Sequence, residues 1–272
     1  MLFRSVLSEQ MLGKVGVVRP TFEEYPNRLM PEQVVVYETK KTDFSYSADD
    51  LMTYFADKNI WSLVLINPDN PSGNYISYAD CLRLADWCQA RDIMLIMDES
   101  FIDFSTEHPT FLNNSILEKY DHLVVIKSIS KSFGVPGLRL GILATSNAAL
   151  MTNLRRAVSI WNINSFAEFF LQILGKYEKS YQEAMNTFRA ERNRFVSALA
   201  DISYLRVIPS EANYVLCEVL APHTPRELAI RLLKDHNSLI KDCSVKCHAP
   251  YIRLTIRDTK DNNQLIHALK IV

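Results

Sequence analysis

The chain has 272 residues, of which 48% are hydrophobic and 22% are charged, and its net charge is −1. This is enough apolar material for one large domain or two modest ones. The balanced charge gives no reason to expect a nucleic acid or an anionic membrane as partner, and no apolar run approaches the roughly 20 residues of a membrane span. Five scattered cysteines and the lack of a signal-peptide pattern predict reduced thiols and a cytoplasmic location.

In the first half of the chain, short apolar runs alternate with helical patterns. Residues 1–12 have the spacing of an amphipathic helix. The alternation predicts a mostly parallel sheet sandwiched by helices, which is an α/β fold. The predicted strands cover 15–18, 33–37, 61–66, 93–97, 123–126 and 140–144, and the predicted helices cover 47–58, 77–91 and 110–120.

The second half is mostly helical up to residue 202, with one long helix over 177–199. Strands over 213–219 and 251–256 follow, together with a helix capped by Thr224 and a final helix over 260–270. These elements predict a smaller α+β domain. We place the domain boundary between residues 1–175 and 176–272.

Polar residues follow three successive predicted strands: Asn70, Asp98 and Lys131. In a parallel sheet the carboxyl ends of the strands meet at one edge, and ligands bind beyond that edge. The sequence therefore predicts a ligand site that all three residues share.

Lys131 lies just beyond the strand over 123–126, among small hydroxyl residues and glycines. A lysine in this position suits a carbonyl compound, because an uncharged amine forms a Schiff base with it. Ser128, Ser130 and Arg139 suit a phosphate group. Pyridoxal phosphate carries both an aldehyde and a phosphate, so it is the predicted cofactor.

Asp98 would hold the proton on the pyridine nitrogen of that cofactor, since a neighbouring carboxylate raises the pKa of the ring nitrogen. Strand alternation turns the neighbouring Glu99 away from the site. Asn70 would donate a hydrogen bond to the phenolic oxygen of the cofactor. The Asn70–Pro71 bond is a candidate cis peptide in this turn.

The polar residues belong to three motifs: Asn-Pro-Asp-Asn-Pro-Ser-Gly over 67–73, Asp-Glu-Ser-Phe-Ile-Asp-Phe over 98–104, and Ser-Ile-Ser-Lys-Ser-Phe-Gly-Val-Pro-Gly-Leu-Arg-Leu-Gly over 128–141. In order and spacing, these motifs resemble those of the fold-type-I aminotransferases of class I and II. Among these, the chain is most similar to histidinol-phosphate aminotransferase and threonine-phosphate decarboxylase.

The resemblance implies a role for each matched residue on the cofactor side. Lys131 matches the Schiff-base lysine that also shuttles protons, Asp98 the partner of the pyridine nitrogen, and Asn70 the donor to the phenolic oxygen. Phe22 matches the aromatic ring that stacks on the cofactor. The residues that bind the phosphate of the cofactor are matched by Ser128, Ser130 and Arg139.

On the substrate side, Arg253 matches the arginine that clamps a carboxylate or other anionic group. Asn164 lies in a Trp-Asn-Ile-Asn segment that resembles one near the substrate. Two positions depart from the family pattern. Phe101 replaces a tyrosine that also bonds the phenolic oxygen, and Lys241 replaces an arginine. The resemblance also implies that the chain is shortened at its start, where members carry a phosphate-binding loop.

The predicted function is transfer of an amino group between an amino acid, or a phosphate derived from one, and a 2-oxo acid, in a homodimer. Threonine-phosphate-type decarboxylation is the alternative, because transamination and decarboxylation use the same named residues. A second alternative is a catalytically weakened module that keeps only the fold. A zinc site built on Cys243, Cys247 and His248 is a third, poorly supported by its spacing, and no metal is predicted.

Overall fold

The computed structural model describes residues 13–272, so the predicted helix over 1–12 lies outside the described residues. The first half of the chain forms a six-stranded sheet of order β2-β1-β3-β4-β5-β6. β1 to β5 run parallel, and β6 runs antiparallel to β5. The predicted fold class is thus confirmed for this part. The strands are β1 (Val15–Arg19), β2 (Val34–Glu38), β3 (Ser62–Ile66), β4 (Met94–Asp98), β5 (Leu123–Ser128) and β6 (Gly141–Ala144).

Helices cover both faces of this sheet because its strands are apolar on both sides. Leu63 and Leu65 of β3 pack in one core cluster, and Val64 and Ile66 pack in another. The helices are α1 (Ala48–Phe55), α2 (Tyr78–Gln89), α3 (Asn114–Lys119), α4 (Ala148–Ala157) and α5 (Ser165–Leu174). Residues of α1 and α2 belong to the first cluster, and residues of α4 belong to the second.

The helix predicted over 110–120 is shorter than expected. Thr110 and Phe111 instead donate hydrogen bonds to the buried carboxylate of Glu99. The helix begins only after Asn113, whose side-chain oxygen accepts from the backbone N–H of Ser115 at 2.9 Å.

A second, four-stranded antiparallel sheet has the order β7-β8-β10-β9. Its core also contains side chains of the long helix and of the two helices that follow β8 and β10. β7, β9 and α8 are too short to leave a periodic signal, and the sequence did not predict them. The elements are α6 (Glu178–Ala200), β7 (Leu205–Val207), β8 (Tyr214–Val219), α7 (Pro225–His236), β9 (Lys241–Asp242), α8 (Ser244–Cys247), β10 (Tyr251–Thr255) and α9 (Thr259–Ile271).

The loop after β3, residues 67–73, contacts the second sheet. Gly73 has a positive φ of 79°, and a Cβ atom there would clash with Ser210 Oγ. The backbone N–H of Glu211 donates to the carbonyl of Gly73 at 3.0 Å. Glycine is therefore required at this junction. The boundary placed between residues 175 and 176 stays a prediction.

Two further observations bear on the sequence predictions. The cis X–Pro bonds of residues 13–272 are Arg19–Pro20, Asn67–Pro68 and Ala221–Pro222. The prediction of a cis bond at Asn70–Pro71 is therefore wrong. Over the same residues, no helix has both the length and the apolar character needed to cross a membrane.

Candidate active site

The carboxyl ends of β3, β4 and β5 lie side by side, as the sequence predicts. Ile66 is paired with Asp98, and Asp98 is paired with Ile126. The polar segments that follow these strands therefore leave the same edge of the sheet. This edge is where the residues of the candidate site meet.

Asp98 is buried, and two groups hold its carboxylate. Oδ1 accepts from the backbone N–H of Ser100 at 2.9 Å, and Oδ2 accepts from the hydroxyl of Tyr25 at 2.8 Å. Burial, followed by the charge of Asp98, raises the pKa of Tyr25 well above its usual value, so Tyr25 remains a donor. Glu99 instead accepts hydrogen bonds from residues 110 and 111, which confirms that strand alternation turns it away.

Tyr25 had no role in the sequence predictions. Its contact with Asp98 joins residues 73 positions apart, and no local spacing signals such a pair. Phe22 lies on the same segment, with its ring 6.3 Å from that of Tyr25 in an edge-to-face arrangement. The ring of Phe22 is 38% exposed, so it is accessible to a ligand instead of being buried in the core.

Lys131 has a pKa below its ordinary value. Desolvation by the surrounding protein is the main cause although the residue is exposed, and the positive charges of Arg253 and Arg139 lower the pKa further. The negative charge of Asp98 opposes them. Lys131 Nζ lies 4.8 Å from the centroid of the Phe101 ring. A lowered pKa increases the fraction of neutral amine at neutral pH, and neutral amine is the form that reacts with a carbonyl group.

The predicted phosphate ligands lie at the end of β5 and in the loop after it. The hydroxyl oxygens of Ser128 and Ser130 are 2.8 Å apart, and the backbone N–H of Ser128 donates to Ser100 Oγ. Arg139 is exposed in a left-handed conformation with φ 58°, and its Nη1 donates to the carbonyl of Pro136 at 2.9 Å. The two serines are half-buried, and the guanidinium group of Arg139 is exposed.

Arg253 brings the second sheet to this edge. Its Nη1 donates to Oδ1 of Asn70 at 2.8 Å, a contact between residues 183 positions apart. This bond occupies the amide oxygen of Asn70 and leaves its NH₂ group to donate. Lys241 of β9 is paired directly with Arg253 of β10, so both side chains lie on the same face of the sheet.

Asn164 has local partners for both ends of its side-chain amide. Its Oδ1 accepts from the backbone N–H of Ala167 and caps α5, and its Nδ2 donates to the carbonyl of Leu138 at 3.1 Å. Asn164 therefore holds α5 against the segment that carries Arg139. Its contact with a substrate stays a prediction.

Lys246 on α8 is a further cation that the sequence predictions missed. It is half-buried, and its pKa is lowered first by desolvation and then by Arg253, with Asp69 and Glu23 opposing this. Within residues 13–272, no carboxylate lies within 4 Å of this amine. The same holds for Lys131, Arg139, Lys241 and Arg253. Cations gathered without carboxylate partners favour an anionic ligand.

The cysteines behave as buried thiols. All five are free, and burial raises the pKa of Cys247 to about 12, with the nearby Cys243 adding to the effect. A protonated thiol is a poor zinc ligand. The part of the chain from residue 13 onward contains no group of three or more metal-ligating side chains. The cytoplasmic location stays a prediction.

Residues 12–269 match the family model described as "Aminotransferase class I and II". The chain belongs to this family. The resemblance predicted from the three motifs is thereby confirmed.

Three proteins illustrate what the chain is similar to. It is 32% identical over 263 residues to CMP-5'-(3-aminopropyl)phosphonate synthase of Streptomyces rubellomurinus, covering 96% of this chain and 42% of that protein. It is 30% identical over 262 residues to threonine-phosphate decarboxylase of Salmonella typhimurium, covering 94% and 70%. The solved structure of histidinol-phosphate aminotransferase from Clostridium acetobutylicum superposes with a TM-score of 0.85 at 26% identity, covering 99% and 79%. The chain thus spans about two fifths of the length of the first of these relatives.

The cofactor of this family is pyridoxal phosphate. The side chains near the strand ends fit this cofactor. They include an amine of lowered pKa, a buried carboxylate, two hydroxyls bonded to each other, and guanidinium groups that have no carboxylate partner in the described residues. The predicted cofactor therefore agrees both with the family and with the chemistry of the site.

Proposed function

We propose that this chain binds pyridoxal phosphate at Lys131 and uses it to act on an amino acid that carries a phosphate or phosphonate group. The observation that carries the proposal is the group of cations around Arg253 that have no carboxylate partner in the described residues. An amino acid phosphate brings a carboxylate and a phosphate of nearly two negative charges, which such a group would neutralise. The predicted assignments of the individual site residues are part of this proposal.

The protein groups would share the work around the cofactor. Bound pyridoxal phosphate supplies an aldehyde that condenses with amines and a pyridine ring that withdraws electrons from the α-carbon. Lys131 would hold the cofactor and then move a proton at the α-carbon, where a lowered pKa assists it. Asp98 would keep a proton on the ring nitrogen, and Asn70 would donate its NH₂ group to the phenolic oxygen. Phe22 would cover one face of the ring.

Arg253 and the two lysines would bind the substrate anions. A guanidinium group suits the planar carboxylate, because it donates two parallel hydrogen bonds. Lys241 and Lys246 would then face the phosphate as point charges. The three similar proteins are each named for a phosphate or a phosphonate, which supports this division.

Two reactions are compatible with these roles, and the bond perpendicular to the ring decides between them. We propose loss of the α-carboxyl group as carbon dioxide, supported by the similarity to threonine-phosphate decarboxylase. Transfer of the amino group to a 2-oxo acid is the second candidate, supported by the match to the histidinol-phosphate aminotransferase structure.

The test is a substrate panel with the 272-residue chain and added pyridoxal phosphate. O-phosphothreonine, O-phosphoserine and histidinol phosphate are compared with threonine, serine and histidinol, each with 2-oxoglutarate present as amino acceptor, and both carbon dioxide and glutamate are measured. We expect carbon dioxide from a phosphorylated amino acid and little from its unphosphorylated counterpart. Formation of glutamate in its place would favour transamination, and a protein that forms no visible absorbance band with the cofactor would overturn both reactions.

Lys246 separates the phosphate proposal from general activity. Replacing it with methionine keeps the aliphatic stem and removes one charge. We expect KM for the phosphorylated substrate to rise about 10-fold or more, the range of one charge-assisted hydrogen bond. Lys234→Met, at an exposed position of α7, is the matched control. An equal effect of both substitutions would rule out a specific phosphate contact.

We also propose that the chain forms a homodimer. Large apolar side chains are exposed on α5 and on the turn before it: Ile160, Trp161, Phe166 and Phe169, each more than 60% exposed. A monomer seldom exposes several large apolar side chains within one short segment. Sedimentation of Phe166→Ser should show more monomer than Leu239→Ser, a change at a distant exposed leucine. A wild-type monomer would contradict the proposal.

A further inference from the structure

Tyr214 lies where the second sheet meets the first sheet, at the edge formed by the carboxyl ends of β3, β4 and β5. It begins β8, is paired with Thr255 of β10, and is 3% exposed. Its hydroxyl donates to the backbone carbonyl of Asp69 at 2.5 Å, in the loop after β3. Burial raises its pKa well above the usual value, so the hydroxyl stays protonated and remains a donor. The sequence motifs assign no role to this residue.

Two site residues rest on the ring of Tyr214. The guanidinium carbon of Arg253 lies 4.8 Å from the ring centroid, within the range of a cation–π contact. The ring of Phe101 packs against the same ring edge to face, with centroids 5.2 Å apart. Lys131 Nζ in turn lies 4.8 Å from the centroid of Phe101. The two cations are thus separated by two rings in mutual contact.

The hydroxyl and the ring act on the same loop. While the hydroxyl holds the carbonyl of Asp69, the Arg253 above the ring donates to the side chain of the next residue, Asn70. The buried side chain of Tyr214 therefore makes three contacts. It contacts the loop that carries Asn70, the guanidinium of Arg253, and the ring of Phe101 beside Lys131.

We propose that Tyr214 is a positioning residue that fixes the guanidinium of Arg253 relative to Lys131. This inference rests on the proposed function, since it treats Arg253 as the anion clamp. Without the ring, the long arginine side chain would lose its support and occupy several rotamers. Each rotamer that points elsewhere weakens binding of the substrate carboxylate. Without the hydroxyl, the loop carrying Asn70 would lose one anchor and the ring contacts would remain.

The test measures anion binding apart from turnover. Phosphoglycolate has a carboxylate and a phosphate but no amino group, so calorimetry on the cofactor-loaded protein gives its Kd without reaction. We expect Tyr214→Leu to raise this Kd about 10-fold and Tyr214→Phe about 3-fold, as cation–π and single hydrogen-bond energies imply. A pH titration of the visible cofactor band is the second readout. It should shift in Tyr214→Leu, where Phe101 loses its support, and stay near wild type in Tyr214→Phe.

Tyr251 offers a matched control on the strand that carries Arg253. It is also buried, and its hydroxyl donates to the backbone carbonyl of Thr42 at 2.6 Å. Tyr251→Phe and Tyr251→Leu should lower thermal stability and leave the Kd and the titration unchanged. The inference is overturned if the Tyr214 and Tyr251 variants change Kd equally, or if folded Tyr214→Leu binds phosphoglycolate as tightly as wild type.

The wild-type result separates the two proposals. If the wild-type protein binds phosphoglycolate but turns over no amino acid phosphate, the proposed function fails, and the variants still test Tyr214. If the wild-type protein does not bind phosphoglycolate, the role of Arg253 and that of Tyr214 are both overturned.

Discussion

Two loops leave β3 and β5, the strands on either side of β4, at the same edge of the sheet and differ in how their polar groups are satisfied. In the β3 loop (residues 67–73), Asn67 bonds the backbone of Ile76 in both directions, and the hydroxyl of Ser72 donates to the carboxylate of Asp69. In the Lys131 loop (residues 129–139), Lys131 and Arg139 are exposed and have no carboxylate within 4 Å in the described residues.

This difference indicates that internal hydrogen bonds fix the β3 loop, whereas the Lys131 loop has cations that can bind a ligand. Buried polar groups must find partners inside the protein, because an unpaired one carries a desolvation cost of about 1–3 kcal/mol. Lys131 and Arg139 have no carboxylate partner among the described residues, so their positive charges remain available to a ligand. We therefore expect changes in the Lys131 loop to affect the cofactor and changes in the β3 loop, other than at Asn70, to affect folding.

The largest effect should come from Lys131→Ala. Loss of the amine should remove the visible absorbance band that the wild-type protein forms with pyridoxal phosphate, and turnover should fall by about 10³-fold or more. Absorbance titration and initial rates measure both. Lys176→Ala removes an exposed lysine elsewhere and should change neither. A full band in Lys131→Ala would place the cofactor on a different amine.

Asp98→Asn should come next. An amide cannot stabilise a proton on the ring nitrogen as a carboxylate does, so we expect kcat to fall about 10²-fold with the fold intact. The adjacent Glu99→Gln is the matched change, because Glu99 is buried against residues 110 and 111. It should alter thermal stability and spare kcat. The reverse outcome would exchange the roles of the two carboxyl groups.

Gly73→Ala tests the β3 loop. The positive φ and the approach of Ser210 Oγ leave no room for a methyl group. We expect the free energy of unfolding to fall by about 2–3 kcal/mol, from backbone strain and overpacking together. Gly137→Ala in the Lys131 loop should change it by less than about 1 kcal/mol, since nothing lies within 4 Å of its Cβ position. Chemical denaturation of both variants measures the contrast.

The smallest expected effect concerns pH and Asp69. Desolvation raises its pKa from 3.8 to about 6 in the folded protein, although the bonds from Ser72 oppose this. Between these two values the folded state retains a proton that the unfolded state has lost, so stability falls as the pH rises from 4 to 6. Asp69→Asn removes that loss and should stabilise the protein by roughly 2 kcal/mol at pH 7.5.

The same substitution should have almost no effect at pH 3.5, where the aspartate is largely protonated in both states. Unfolding curves at the two pH values provide the check. A pH-independent effect of Asp69→Asn would mean that its carboxyl group is neutral at pH 7.5 or that packing dominates.

The order of the elements and the shared edge were predictable from the sequence, because both follow from patterns that span a few residues. Apolar runs of strand length predict β3, β4 and β5, and the parallel arrangement places their ends together. The contacts that complete the site were not predictable in this way. Tyr25 meets Asp98 across 73 positions, and no periodic pattern encodes that pair.

By itself, the sequence determined the chemistry of the cofactor site: an amine, a carboxylate and hydroxyl groups at three strand ends, with their order along the chain. Only the tertiary structure decided how the second sheet completes the site. In the tertiary structure Arg253 donates to Asn70, the ring of Tyr214 contacts Arg253, and the charge of Arg253 acts on Lys246, across separations of up to 183 residues. Local residue spacing determines which functional groups lie at a strand end. Long-range packing determines which distant side chains contact them.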